Sequence, residues 1–432
     1  MNDSIISQVA TRVCETETMA IHIQQIFAWE ILDSRGNPTV AARCTLSNGI
    51  VAKAHAPSGA STGRHEAVEL RDGDPNRYGG KGVLRAVSNV NQVIAPALIG
   101  VRPGDSDARL LELDRSFDKA NLGANAVLAV SCAAARAAAL AEAIPLWRYL
   151  AGARTPKMPV PMVNILSGGL HAGRNIEFQD FLVVPNGIEE YGRQIEAIVA
   201  IHRTAKIVLE QAGCVLTGVA DEGGWGPRLD SNEKALEYLT RAIELAGFRA
   251  GADVSIAIDV ASSHFFTADA YHLQTEGRTL TAAGMVDLLA DWSARYPVIS
   301  IEDGLAEDDW AGWQLLTARL GKSVQLVGDD LFTTNLARLE RGIITGAGNA
   351  VLVKMNQIGT LSETFAVVDR AREAGFAAVV SARSGETEDD FLADLATASG
   401  AGQIKIGSIT RSERLAKYNR LFEIERELRE VN

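Results

Sequence analysis

Four cysteines are too few and too scattered to brace a chain of 432 residues. Cys14, Cys44, Cys132 and Cys214 form no CxxC pair and no short-spaced cluster with histidine, so the sequence indicates neither a disulfide framework nor a zinc site. Histidine is scarce as well, with seven residues in all. Basic charge is in deficit: the formal net charge is −12, and no strongly basic segment offsets it, which disfavours nucleic-acid or anionic-membrane partners. No stretch reaches the ~18 apolar residues of a membrane span. The amino-terminal stretch MNDSIISQVATRVCETETMA lacks the basic start and apolar run of a secretory signal. A soluble, cytoplasmic protein is expected. The 12 prolines, 47% hydrophobic and 22% charged residues are the balance of an ordered globular chain, and the length suggests two or three domains.

Residues 1–20 show no periodicity and are expected to be a mobile extension. From Thr39 to Ala56 two β-rich runs flank Asn48-Gly49, a hairpin signal in which both central positions want positive φ. Helical stretches follow around Val83–Leu98 and through the alanine-rich Ala124–Ala143, so residues 21–154 read as an α+β domain. Thr155–Pro161, with three prolines in seven residues, reads as a linker into residues 155–432.

There the pattern changes to short apolar strands, each carrying a polar residue at or near its end and each followed by a helical segment. Asp259, Glu302, Asp329, Lys354, Arg383 and Lys405 are spaced by 43, 27, 25, 29 and 22 residues, close to one βα unit each. Thr360 with Glu363 fits a capping box, and Gly375 fits a helix stop. Repeated units with doubly buried strands imply a parallel sheet closed as a barrel, with its active site at the strands' carboxyl ends. A Rossmann-type open sheet is the alternative, but no GxGxxG follows any strand.

Asp259, Glu302 and Asp329 would converge at the barrel mouth, where three anions repel unless a cation lies among them. Hard oxygen ligands without histidine or cysteine select Mg2+; an ordinary salt bridge is the alternative for each acid taken singly. Lys354 and Lys405 sit in apolar surroundings, and a lysine beside a cation has a depressed pKa suited to a base, although a snorkelling lysine has the same look. Asp221-Glu222-Gly223-Gly224, placed at another strand end, offers a general acid. Pro57–Gly63 is a Gly/Ser loop, either a lid over a phosphate or a plain surface loop.

Taken together, DSRGNPT (33–39), PSGASTG (57–63), MPVPMVNI (158–165), DEGG, SIEDGL, VGDDLF, KMNQIG, RSGETED (383–389) and GQIK resemble enolase, in order, from about Ile23 to Leu428. The resemblance implies an amino-terminal α+β domain capping a modified β/α (TIM-like) barrel with a partly antiparallel start, and a homodimer or higher homo-oligomer. It implies reversible dehydration of 2-phosphoglycerate to phosphoenolpyruvate with two Mg2+. Residue by residue, it implies Asp259, Glu302 and Asp329 as ligands of the first Mg2+, and Ser61 as the loop ligand of the second, shared with the phosphate. Lys354 matches the base at C2 and Lys405 the second lysine facing the carboxylate. Arg383 and Ser384 match the phosphate pair, Glu222 the acid at the C3 hydroxyl, and His171 and Gln179 residues beside the substrate.

The chain departs from that pattern at Ala382, where enolases carry histidine, and at Asp180, where they carry glutamate. Ser167 and His264 replace an asparagine and an acid. Ala382 and Asp180 match residues around the C3 hydroxyl, so the expectation is retained binding of 2-phosphoglycerate or a derivative with altered chemistry at the C3 oxygen. Among diverged relatives, carboxyphosphonoenolpyruvate synthase of the phosphinothricin route fits best, with a phosphonoformyl donor as second substrate in phosphonate antibiotic biosynthesis. An ordinary phosphopyruvate hydratase and a non-catalytic binding protein on the same scaffold are the alternatives.

Overall fold

A computed structural model of the protein describes residues 21–59 and 63–431. The expected extension at residues 1–20 and the loop residue Ser61 lie outside the described residues. Strands β1 (Ile23–Leu32), β2 (Pro38–Leu46) and β3 (Val51–His55) form an antiparallel sheet. The hairpin between β2 and β3 is present, but its turn differs from the expected one. Among its central residues only Gly49 has positive φ (87°), while the Asn48 side chain accepts from the Ile50 amide at 3.2 Å in an Asx turn.

One face of this sheet is covered by α1 (Ala124–Ala141), whose alanines let its backbone approach β2 and β3 closely. By length and composition α1 is apolar enough to cross a membrane, contrary to the expectation for every stretch of this chain. It is a core helix: 83% of it is buried inside the protein. The stretch expected as one helix at Val83–Leu98 is instead Leu84–Asn89 and Ala95–Leu98 joined by a π-helical Val90–Ile94.

The second part is a closed eight-stranded barrel. Its strands are β4 (Val160–Ser167), β5 (Asp180–Val184), β6 (Ser255–Asp259), β7 (Val298–Glu302), β8 (Gln325–Gly328), β9 (Ala350–Val353), β10 (Ala377–Ser381) and β11 (Gln403–Gly407). They run in the order β7-β8-β9-β10-β11-β4-β5-β6, with β6 closing on β7. Val160 and Pro161, expected in the linker, already belong to β4. The sheet is not wholly parallel: β5 runs antiparallel to both β4 and β6.

Alternation along the strands divides the core in two. Met162, Leu182, Ala257, Val327, Leu352 and Val379 fill the barrel interior, while neighbours such as Val351 and Val353 face the surrounding helices. Thr360 caps the helix Leu361–Glu373 by accepting from the Glu363 amide at 3.2 Å, and Gly375 follows at φ 75°.

The amino-terminal part touches the barrel at its mouth. Ser58 and Gly385 exchange backbone hydrogen bonds at 2.8 and 2.9 Å, and the Ser34 amide donates to the Glu386 carbonyl at 2.7 Å. A Cβ at Gly385 would lie 2.4 Å from Asp33 Oδ2 and 2.6 Å from the Ser58 carbonyl, so only glycine permits this approach.

Candidate active site

Successive barrel strands deliver their polar residues to one end. Asp259 closes β6 and Glu302 closes β7, directly beside it. Asp329 follows β8, Lys354 follows β9, Arg383 lies two residues beyond β10, and Lys405 sits inside β11. The turn holding Glu222 is the exception. TGVA forms no barrel strand; Val219 pairs with Trp225 in an isolated bridge, and the Glu222 carbonyl accepts from the Ser408 amide at 2.8 Å just past β11.

The three acids are gathered by lysines. Lys405 Nζ donates to Asp259 at 2.7 Å and to Glu302 at 2.6 Å. Lys354 Nζ donates to Asp329, whose second oxygen accepts from Gln357 Nε2 at 2.9 Å. Gln179 Nε2 donates to Asp259 at 3.1 Å. Burial works against a charged Lys354, but Asp329 outweighs it and holds the pKa above the usual lysine range. This corrects the expected depression: in the metal-free arrangement the carboxylate partner prevails over Arg383 and Lys405. Burial and the facing Asp259 raise Glu302 to about 8.

That shift tests the fit to a cation. Two lysines leave the buried carboxylates with surplus negative charge, and the donors are oxygens alone, the set that suits Mg2+. Among the described residues the groups of three whose ligand atoms lie within 4.8 Å of one another are His171, Asp180 and Glu222, and Asp303, Asp329 and Asp330; the expected triad Asp259, Glu302 and Asp329 is not drawn that close. Asp303 is committed to the backbone, since its two oxygens accept from the amides of Asp329 and Asp330 at 2.9 and 2.8 Å.

Arg383 is buried, with Nη1 donating to Glu66 at 2.8 Å and to Asn356 at 2.9 Å. Beneath it the buried Arg414 guanidinium donates to the carbonyls of Arg383, Ser384 and Ile406 at 2.7, 2.7 and 2.9 Å. Arg414 thereby fixes the backbone of the Arg383–Ser384 pair. Across the cleft, His171 Nδ1 meets Asp180 Oδ2 at 2.9 Å, and Nε2 lies 3.9 Å from Glu222. Asp180 Oδ1 accepts from Asn164 and, at 3.0 Å, from Ser167. Burial would lower the His171 pKa, but the Asp180 and Glu222 carboxylates outweigh it and raise it to about 9. His171, Gln179, Glu222, Asp259, Lys354, Arg383, Ser384 and Lys405 line one cleft, and Ala382 is part of its wall.

A family model described as the enolase C-terminal TIM barrel domain matches residues 155–432, and one for the enolase N-terminal domain matches residues 23–150. The chain belongs to the enolase family. The family is one of lyase-type enzymes that bind Mg2+, and this enolase-family member brings its acids, lysines and the Arg383–Ser384 pair to one barrel mouth. Sequence reasoning missed Glu66, Asn356, Gln357 and Arg414, which hold the expected residues in place. Asn356 and Gln357 lay within the KMNQIG block; Glu66 and Arg414 carried no local signal. His264 does not line this cleft but an adjoining hollow.

Proposed function

We propose that this enzyme acts on 2-phosphoglycerate or a derivative of it, with two magnesium ions and with altered chemistry at the C3 oxygen. The finer reading is a step like that of carboxyphosphonoenolpyruvate synthase in phosphonate antibiotic biosynthesis, where a phosphonoformyl group joins the chemistry of a three-carbon phosphoester. The observation that carries it is Ala382: a methyl group forms the cleft wall next to Arg383 and Ser384, in the same cleft as His171 and Glu222.

In this reading Asp259, Glu302 and Asp329 would hold the first magnesium and Ser61 the second. Bound magnesium would supply positive charge to the substrate carboxylate as the C2 proton leaves. Lys354 is the base at C2. It must shed its own proton first, so the commitment of Asp329 to its ammonium decides its basicity. Lys405 faces the carboxylate, and Arg383 and Ser384 take the phosphate, for which a planar guanidinium suits bidentate bonding. His171 and Glu222 face the C3 side, with Asp180 orienting His171 and Gln179 beside the substrate. A cytoplasmic homodimer is the expected working form.

The test is an assay with 2-phosphoglycerate and Mg2+ in D2O. The expected result is exchange of the C2 proton, seen by NMR, with phosphoenolpyruvate released about 10²–10⁴-fold more slowly than by an efficient hydratase, the cost of a lost acid. Ala382→His is expected to raise that slow release. Release at full hydratase speed would refute the altered C3 chemistry and favour the glycolytic reaction. Absence of both exchange and Mg2+-dependent stabilisation by 2-phosphoglycerate would favour a non-catalytic scaffold.

A further inference from the structure

A second hollow adjoins the cleft and shares a wall with it: Gly169 and Leu170 line the hollow, while the next residue, His171, lines the cleft. Its volume of about 390 Å3 falls in the range of small-ligand sites. Arg174 and His264 line it together with Thr267 and Gln274.

The charges in this hollow are unevenly spent. Glu177 is fully engaged: Oε1 accepts from the Thr275 amide and hydroxyl at 2.8 Å each, and Oε2 from Asn232 at 2.8 Å. Both His272 nitrogens are occupied, by Thr279 and the Thr267 carbonyl at 3.2 Å each. Of the acids whose field reaches His264, Asp259 is paired with Lys405 and Glu307 with Arg64. Arg174 differs: its guanidinium makes no hydrogen bond or ion pair to any described residue, although its backbone is held at φ 60° by an amide bond to the Gly169 carbonyl. His264 Nδ1 is buried with no hydrogen-bond partner. A guanidinium with no hydrogen-bond or ion-pair partner among the described residues and an orphaned imidazole nitrogen line one hollow whose carboxylate, Glu177, keeps its charge but has its oxygens occupied by Thr275 and Asn232, and the two unspent groups offer donors to an anion.

We propose that this hollow binds a second substrate through a tetrahedral dianion of the phosphonate or phosphate class, with Arg174 and His264 as its recognition residues. The proposal deepens the reading of the neighbouring cleft and rests on it for the second substrate.

The test titrates the Mg2+-loaded enzyme, saturated with 2-phosphoglycerate, with phosphonoformate and, separately, with inorganic phosphate, followed by 31P NMR and calorimetry. Either anion is expected to bind alongside 2-phosphoglycerate, the tighter one naming the source. Arg174→Ala and His264→Glu should each weaken that binding at least tenfold while leaving 2-phosphoglycerate affinity within twofold. Arg174 is exposed, so its alanine variant keeps the fold. Competition between the added anion and 2-phosphoglycerate, unchanged affinity in both variants, or no binding of either anion would overturn the assignment. Failure of 2-phosphoglycerate itself to bind would instead strike the reading of the cleft, and the two variants titrated with each anion alone would still decide the hollow.

Discussion

Replacing Lys405 with methionine keeps most of the side-chain volume and removes the one cation shared by Asp259 and Glu302. Breaking a buried ion pair by deleting one partner costs about 3–5 kcal/mol, because the remaining charge stays buried and uncompensated. The two acids do not bear this equally. Glu302, with its pKa raised to about 8, can shed its charge by protonation at neutral pH. Asp259 cannot do so as readily: burial works against its charge, but Lys405 holds it below the usual carboxylate range. After the substitution, among the described residues Gln179 alone still donates to that side chain, at 3.1 Å. The expected loss in EDTA is therefore near the lower limit, about 3 kcal/mol. If Mg2+ binds among these carboxylates, it replaces the missing charge, and its stabilising effect is larger in the variant than in the wild type. The assay is urea unfolding with and without Mg2+, followed by the fluorescence of the buried barrel tryptophans Trp292 and Trp313. Equal Mg2+ effects in the two proteins, or no loss in EDTA, would refute the placement of the ion.

Two further outcomes follow from the same charges and their supports. In metal-free protein Glu302 and Asp330 are raised to about 8 and His171 to about 9, so the folded state binds protons that the unfolded chain has released. The carboxyl contributions are complete below the unfolded value of about 4, and the histidine contribution below about 6.5. All three are lost as pH rises through the folded values. Urea midpoints in EDTA should fall from pH 5 to pH 8, and Mg2+ should flatten the slope; a rise in EDTA would contradict the charge surplus. Arg414→Leu orphans three carbonyls, at about 1–3 kcal/mol for each that stays buried, for a loss of roughly 3–9 kcal/mol if all three stay buried. It should also raise the KM for the phosphoester, and an unchanged unfolding midpoint would show that Arg414 does not brace the Arg383–Ser384 turn.

The strand-end residues were legible because a parallel barrel repeats one unit, and each unit puts the residue ending its apolar run at the same mouth. Asp259, Glu302, Asp329, Lys354, Arg383 and Lys405 could thus be found by spacing alone. Strand direction was not legible in the residue pattern itself, although the resemblance to enolase implied the partly antiparallel start that β4 and β5 show. After Asp180, the FLVV of β5 is as apolar as the parallel strands, and among the described contacts its reversal shows in its pairing with β4 and β6. The supports were hidden for a related reason. Glu66 lies 317 positions from Arg383, and Arg414 is a carboxyl-terminal helix residue whose hydrogen bonds all go to backbone carbonyls. Neither spacing nor residue type announces such contacts. Without metal the Lys354 pKa runs opposite to the expected depression, because its ammonium is paired with Asp329.

Three departures from the enolase pattern lie around one corner of the cleft. Ser167 and Asp180 are direct partners across the β4–β5 pair, and the Ser167 hydroxyl donates to Asp180 Oδ1 at 3.0 Å. Asn164 donates to both, so the shortened carboxylate is fully enclosed by donors on one side and by His171 on the other. Ala382 lines the same cleft as His171. Asp180 holds Nδ1 of that imidazole and Glu222 lies near Nε2, and the two carboxylates keep it protonated at neutral pH. The corner has lost the histidine of the enolase pattern, yet it retains one imidazolium whose charge depends on the substituted Asp180. A change at position 382 alone would subtract a proton donor. Set beside Ser167 and Asp180, it leaves a methyl wall and one imidazolium held between Asp180 and Glu222, and the proposed change of chemistry at the C3 oxygen turns on that corner.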